Sequence, residues 1–374
     1  MSRYRAAIVG TGAIATSHAE ALRAHADRIT LVAVADLALD RAQTFADAWG
    51  IPAVYRDVAG LLAAENGDSS GGGLDLVLLC TPPSTHAPIA VQCLRADVNV
   101  LVEKPPTLSL AELDHIAEVA ATSAAGVGTV FQHRFGAGAA RLRNLGSELG
   151  RSLVATCHTL WYRDDEYYQV PWRGRWETEG GGPTMGHGIH QFDLLLSVLG
   201  PWEKVTAMAA RRSRPVETED VSMAIVEFAD GTLATVVNSV VSPRQTSDLR
   251  FDFEHATVEV SHLYGYTDAD WTFTPAPGHE DLRRHWTSDG TATSGHADQL
   301  RSVLDALDAG EPLPVTLPDT RMTMELIAAI YASAATERPV RRGEIGPDHP
   351  FATRMNGAVS AWQTSSSITL STDR

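Results

Sequence analysis

The chain has 374 residues, 44% of them hydrophobic and 20% charged, an ordinary globular composition in a chain longer than one hydrophobic core usually supports, so two domains are expected. A formal net charge of −16 repels phosphate backbones and anionic lipid surfaces, and no run of Lys or Arg offsets it locally, which argues against nucleic acid or a membrane surface as partner. Cys80, Cys93 and Cys157 form no CxxC pair, so neither a disulfide framework nor a zinc ribbon is written here; with no apolar run of signal-peptide or membrane-span length, a cytoplasmic protein is expected.

In chain order, residues 6–9 (Ala-Ala-Ile-Val) form a continuous apolar run that gives way to glycines, and Ala19, Leu22 and Ala26 then recur at helical spacing over 14–26. This predicts strand, turn, helix. A second apolar run, 29–35, stops at Asp36, and an Ala-rich helix over 39–49 ends at Gly50 with Pro52 beyond. Residues 66–73 read as a flexible surface loop, followed by a strand at 74–80, a helix at 87–94, a strand at 98–102, a helix at 109–121 and a strand at 128–131. Strands that are apolar throughout and alternate with helices predict a doubly wound parallel sheet covered on both faces.

The pattern changes near residue 150. Stretches 153–160, 205–210, 221–228, 233–240, 248–253 and 257–262 are strand-like with short connections at Asp230-Gly231 and His255-Ala256. Helices are predicted at 189–199, 296–309 and 320–336, so the second half reads as α+β with a large, mostly antiparallel open sheet. The division expected is 1–130 for a dinucleotide-binding domain, 131–350 for a substrate-binding and oligomerisation domain and 351–374 for a tail, disordered or loosely docked in its Ser- and Thr-rich part after about 356. An open sheet face predicts a homodimer or homotetramer.

Gly10-Thr11-Gly12-Ala13-Ile14-Ala15 stands where the first strand hands over to the first helix, the context in which G-x-G-x-x-G/A binds a dinucleotide. The first glycine permits the tight turn, the second lets pyrophosphate approach the backbone, and Ala15 lets helix and strand pack closely. Asp36, ending the second strand, is placed to accept from ribose hydroxyls and to repel a 2′-phosphate, so NAD is expected over NADP. A glycine turn in another doubly wound domain, with Asp36 as a helix cap, is the bland alternative.

Two further motifs fall at later strand ends, where such sheets bind ligands: Cys80-Thr81-Pro82-Pro83-Ser84-Thr85-His86 and Val102-Glu103-Lys104-Pro105-Pro106. With the glycine loop, and with Arg134-Phe135, Trp172-Arg173-Gly174, Gly180-Gly181-Gly182, His190-x-x-Asp193 and Pro350-Phe351, the chain resembles the Gfo/Idh/MocA family of glucose-fructose oxidoreductase and inositol dehydrogenase over nearly its whole length. The resemblance implies a Rossmann domain followed by an open-faced α/β domain, and an enzyme that moves a hydride from a secondary hydroxyl of a sugar, sugar derivative or cyclitol to NAD(P). Some relatives implied by it are glycosidases or lyases that oxidise the substrate transiently on retained NAD, and others are non-catalytic regulatory proteins that bind the dinucleotide.

Oxidising a secondary alcohol needs a hydride acceptor, a base for the hydroxyl proton and a donor to position the oxygen. Lys104, beside the expected nicotinamide, offers an ammonium, and the resemblance gives it a catalytic role; pairing with Glu103 is the structural alternative. A cis bond before Pro105 is a hypothesis for how the lysine is aimed. His190 heads a helix ending at Gly200-Pro201 and matches the family's catalytic histidine, with Asp193 one turn along to orient its ring. Many family members carry an acid four positions before this histidine; here that place is Gly186, and His187 is the possible substitute. Cofactor contacts are expected from Gly10, Thr11, Gly12, Ala13, Ile14, Asp36, Thr81, Pro82, His86, Glu103 and Lys104, and substrate contacts from Lys104, Tyr162, Trp172, Arg173, His187 and His190. In the aromatic and arginine-rich segment 161–176 rings can cover the apolar face of a sugar while Arg and Asp reach its hydroxyls; core packing or a subunit contact is an equal alternative. His187, His190 and Asp193 could share one helix face as metal ligands, a reading without HExxH or Cys support; no metal is expected.

Overall fold

A computed structural model describes residues 4–67, 72–287 and 293–358. The first sheet contains β1 (Tyr4–Val9), β2 (Ile29–Ala35), β3 (Ala53–Tyr55), β4 (Leu76–Leu79), β5 (Asn99–Val102) and β6 (Val127–Thr129). Its order is β3-β2-β1-β4-β5-β6, parallel throughout. Ala6, Ala7 and Ile8 are fully buried, which is why these strands are apolar on every residue rather than on alternate ones. β1, β4 and β5 finish flush, Val9 beside Leu79 and Leu79 beside Val102. Gly10, Cys80 and Glu103 therefore emerge side by side at one sheet end.

Helix Leu39–Trp49 stops at Gly50 in the left-handed region (φ 68), and helix Leu110–Ala120 starts on Ser109, whose Oγ accepts from the Glu112 amide. β3 and helix Val58–Gly67 have no counterpart among the predicted elements. That helix reaches into the expected 66–73 loop, of which 68–71 lie outside the described residues. The strand expected to reach 131 ends at Thr129.

The second sheet contains β7 (Ser152–Tyr162), β8 (Trp202–Ala210), β9 (Val221–Phe228), β10 (Leu233–Ser239), β11 (Val241–Phe253), β12 (Ala256–His262), β13 (Trp271–Pro275) and β14 (Val340–Arg341). The order is β13-β12-β11-β7-β10-β9-β8-β14, antiparallel at each pairing except β7 with β10, which run parallel. Helices Ile189–Leu199 and Leu317–Thr336 cover one face, packing Phe192, Leu195 and Ile330 onto Cys157, Val226 and Val236. The other face presents Met208 (76% exposed), Met223 (55%) and Ile225 (60%) on neighbouring strands.

Two expected boundaries move. Helix His296–Ala309 packs Leu300, Val303 and Leu304 with Ala6, Ile8, Leu76 and Leu78, so it completes the first core, not the second. Pro350–Thr353 is a short helix, and Phe351 and Met355 are buried in the second core. The stretch from 351 is thus packed structure as far as 358, and residues 359–374 of the expected tail lie outside the described residues. Among the described residues no helix is long and apolar enough to cross a membrane.

Candidate active site

The glycine loop has the shape a pyrophosphate needs. At Gly10, φ is 92 and a Cβ would stand 2.8 Å from the Cys80 carbonyl carbon and from Thr81, so only glycine fits where β1 and β4 end. At Gly12, which precedes helix Ala13–Ala24, a Cβ would meet nothing within 4 Å. That open side faces the helix N-terminus, where amide donors and the helix dipole favour phosphate. Asp36 is 7% exposed; its Oδ2 accepts from the Thr11 amide (2.8 Å) and hydroxyl (2.9 Å) and its Oδ1 from the Ala38 amide (2.9 Å). Arg41 forks onto it from the surface at 2.7 Å. Burial alone would raise the Asp36 carboxyl, but Thr11, Arg41 and Ala38 outweigh it and hold the group below its usual range.

Lys104 follows β5, half-buried, its peptide bond to Pro105 cis. Its Nζ donates to the Gly186 carbonyl at 3.1 Å. Burial lowers the ammonium's pKa, with Glu103 and Glu179 pulling it back up and Arg173 and Arg163 adding to the fall. The lysine is not paired to Glu103 through its side chain: the Glu103 carboxylate takes His18 Nε2 at 2.8 Å and approaches His296 Nε2 at 3.4 Å. Burial would raise Glu103, but the two histidines hold it well below the carboxylate range. Glu103 therefore ties the glycine-loop helix and helix His296–Ala309 to the lysine's strand end, and its carboxylate is not free for the cofactor. His86 is also corrected: Nδ1 faces the Pro105 carbonyl (2.9 Å) and Nε2 the Thr81 carbonyl (2.8 Å). Both ring nitrogens clamp backbone, leaving none for a dinucleotide.

His190 is 2% exposed, and neither ring nitrogen has a hydrogen-bond partner. Asp193 does not orient it. Arg134 takes both Asp193 oxygens at 2.6 Å through Nε and Nη2, which also disposes of a metal set of His187, His190 and Asp193. Among the described residues the three side chains with metal-competent atoms in reach of one another are instead His18, Glu103 and His296. The His133 ring lies 4.9 Å from that of His190 and has both nitrogens unpartnered. His187 Nε2 accepts from Arg163 Nε (3.3 Å), which places the proton on the unpartnered Nδ1. Burial and the Lys104 charge lower all three histidines, Arg163 also acting on His187 and His296 on His133, with His133 at about 3. They are neutral at physiological pH.

Over this group lies a roof of stacked cations and rings. Arg173 stands 3.6 Å from the Tyr167 ring centre and 4.8 Å from that of Trp172, and Arg163 bridges Trp161 (4.7 Å) and Tyr167 (5.0 Å). Tyr162 does not join it. Successive residues of a strand point to opposite faces, so Trp161 is buried with its ring 4.8 Å from His187 while Tyr162 is 41% exposed beneath Arg214. Glu179 is the residue that sequence reasoning left out; Trp161 entered it only as part of the 161–176 segment, and His133 was given no chemistry. Carrying the predicted β7 two residues further would have picked Trp161 over Tyr162; Glu179 carried one signal, an acid just ahead of the Gly180-Gly181-Gly182 run.

Comparison with known proteins agrees with this fold. The model of the oxidoreductase family, NAD-binding Rossmann fold, matches residues 4–130, and that of the GFO/IDH/MocA C-terminal domain matches 143–278. Myo-inositol 2-dehydrogenase of Thermotoga maritima is 25% identical over 354 residues, covering 91% of this chain and 99% of its own. D-glucoside 3-dehydrogenase of Escherichia coli is 25% identical over 365 residues, covering 90% and 96%. The crystal structure of GenD2 from gentamicin A biosynthesis, in complex with NAD, superposes with a TM-score of 0.75 at 26% identity, covering 92% and 97%. With its parallel nucleotide-binding sheet, its open second sheet and its strand-end lysine, the chain belongs to the Gfo/Idh/MocA family of NAD-binding oxidoreductases.

Proposed function

We propose that the protein is an NAD-dependent dehydrogenase that oxidises a secondary hydroxyl of a sugar, sugar derivative or cyclitol. The observation that carries this reading is a set of five buried ring nitrogens without partners, two on His133, one on His187 and two on His190, gathered beside the Lys104 ammonium. Buried polar atoms in native proteins nearly all find partners, so a cluster left unpaired supports a polyhydroxylated ligand there. The named activities of the inositol and glucoside relatives fit that chemistry.

Gly10, Thr11, Gly12, Ala13, Ile14, Asp36, Thr81 and Pro82 would hold the dinucleotide, which when bound supplies the hydride acceptor. Lys104 Nζ donates to the reacting oxygen and, as the alcohol ionises, stabilises the charge there. A neutral His190 ring nitrogen takes the hydroxyl proton, and His187, its Nδ1 proton unspent, fixes a neighbouring hydroxyl. Trp172, Arg173 and Arg163 close over the sugar, rings against its apolar face and guanidinium groups against its oxygens. The exposed Met208, Met223 and Ile225 face supports a homo-oligomer in which two such sheets cover each other.

The test is a spectrophotometric screen of polyols and sugars with NAD and NADP, repeated with Lys104→Ala and His190→Ala. Each variant is expected to lose roughly 10²-fold or more in kcat, the scale of one acid–base group, while still binding NADH. Full turnover by both variants on a substrate of the wild type overturns the assignment.

A further inference from the structure

Gly186 lies between an ammonium and a carboxylate. Its carbonyl oxygen accepts from Lys104 Nζ at 3.1 Å, and on its side-chain side a Cβ would stand 3.6 Å from Glu179 Oε1. Glu179 ends the four-residue helix Trp176–Glu179, which Gly180 terminates in the left-handed region (φ 81). It is 6% exposed. Its Oε2 accepts from the Gly174 amide at 2.5 Å, while its Oε1 accepts no hydrogen bond among the described residues. A larger residue at 186 would occupy the space this carboxylate faces; glycine leaves it open.

We propose that Glu179 is the positioning carboxylate of Lys104: acting across Gly186, it sets the charge state of the strand-end lysine and holds it toward the substrate oxygen. The inference rests on the dehydrogenase reading for its catalytic meaning, but the pairing itself is a property of the folded chain. A buried carboxylate with one oxygen unspent is costly unless a cation answers it. The groups that face Glu179 are the Gly174 amide, Arg173, Glu219, Lys104 and Tyr168. Arg173 is itself engaged with the Tyr167 and Trp172 rings. Burial, with Glu219 adding to it, outweighs the Gly174 amide, Arg173 and Lys104, which pull the other way, and leaves the Glu179 carboxyl raised to about 7. The same pairing acts in reverse on the lysine, raising what burial lowers.

The chain contains two lysines, Lys104 and Lys204, so the charge on each can be read separately. Competitive labelling of the full-length protein with acetic anhydride across pH, followed by mass spectrometry of the two peptides, reports the pH at which each amine becomes reactive. In Glu179→Gln the amide oxygen still accepts from Gly174, so the local backbone is kept while the charge is removed. The Lys104 midpoint is expected to fall by about one pH unit, the shift a neighbouring opposite charge produces, with Lys204 unchanged. In Glu179→Ala/Gly186→Asp, which moves the carboxylate across the same gap, the midpoint is expected to return.

On a substrate of the wild type, Glu179→Gln is expected to lower kcat about tenfold and leave KM within twofold. An unchanged Lys104 midpoint, or full kcat in Glu179→Gln, overturns the proposal and leaves Glu179 as an acceptor for Gly174 alone. If the wild type oxidises no polyol, the dehydrogenase reading fails on its own, while the labelling result still decides whether Glu179 governs the lysine.

Discussion

Replacing Asp36 with Ala is expected to reverse the cofactor preference. The Asp36 carboxylate joins the glycine loop to the end of β2 through the Thr11 amide and hydroxyl, so a dinucleotide held on that loop as proposed would bring its adenosine ribose hydroxyls to it. Losing one charged hydrogen bond costs about 1.5–3 kcal/mol, which raises the NAD dissociation constant by roughly 10- to 100-fold. NADP changes the other way. A phosphate roughly 5 Å from the carboxylate is opposed by about 3 kcal/mol per unit charge at an effective dielectric near 20; screening at this rim leaves at least about tenfold to recover. Arg41, 58% exposed along its side chain and freed from Asp36, is then at hand to pair with the phosphate. The ratio of NADH to NADPH affinity should shift by about 10²–10³, the product of these factors. Fluorescence titration of both reduced cofactors measures it in the wild type, Asp36→Ala and Asp36→Ala/Arg41→Ala, the last expected to return part of the gain. Because Thr11 loses its acceptor, about 1–3 kcal/mol of stability goes too, and melting curves check that the variant is folded. An unchanged ratio in a folded Asp36→Ala protein would mean that the carboxylate does not meet the ribose.

Arg134→Leu strands the fully buried Asp193 without its bidentate partner, and a loss of about 3–5 kcal/mol follows from breaking such a pair. A urea melt should show most of it recovered in Arg134→Leu/Asp193→Leu; no loss in the single variant contradicts the pairing. Burial, then the charges of Lys104 and His133, holds His190 well below the ordinary histidine value of 6.5. Its neutral, proton-accepting form therefore persists as pH falls through 6.5, and kcat/KM attributable to it should decline only at lower pH. An acidic limb centred at or above 6.5 that disappears in His190→Asn would show His190 titrating there and contradict its depression by burial; a limb unchanged in that variant speaks against His190 as the base. Ile225→Asp puts a charge in the middle of the exposed apolar face and is expected to yield monomers by light scattering where the wild type gives dimers or tetramers. A monomeric wild type removes the oligomer proposal.

Much of this was readable because local chemistry wrote it. Helices Leu39–Trp49, Ile189–Leu199 and His296–Ala309 were bounded correctly, since Gly50, Gly200 and Gly310 each stop a helix in positive φ. Short elements were not: β3 has three residues, and helix Val58–Gly67 carries Gly60 inside it, so neither offers enough period to detect. The parallel pairing of β7 with β10 was out of reach for a different reason. Alternation along a strand is the same for either direction of its neighbour, and these two lie far apart in the chain. At the site, Gly10, Asp36, Lys104 and His190 announce themselves through motif and position. Glu179, His133 and the turning of Asp193 toward Arg134 depend on which distant segments meet, and no spacing encodes that.

The helix that completes the first core has a consequence for how the protein is made. Residues up to about 130 leave the ribosome long before residue 296, and at about 5–20 residues per second the gap lasts roughly 10–30 s. For that interval Ala6, Ile8, Leu76 and Leu78 lack the cover that Leu300, Val303 and Leu304 later give them, and Glu103 lacks His296. The nascent cofactor half thus carries an apolar strip that a chaperone or a neighbouring nascent chain can find first. It matures only when the C-terminal part folds back onto it.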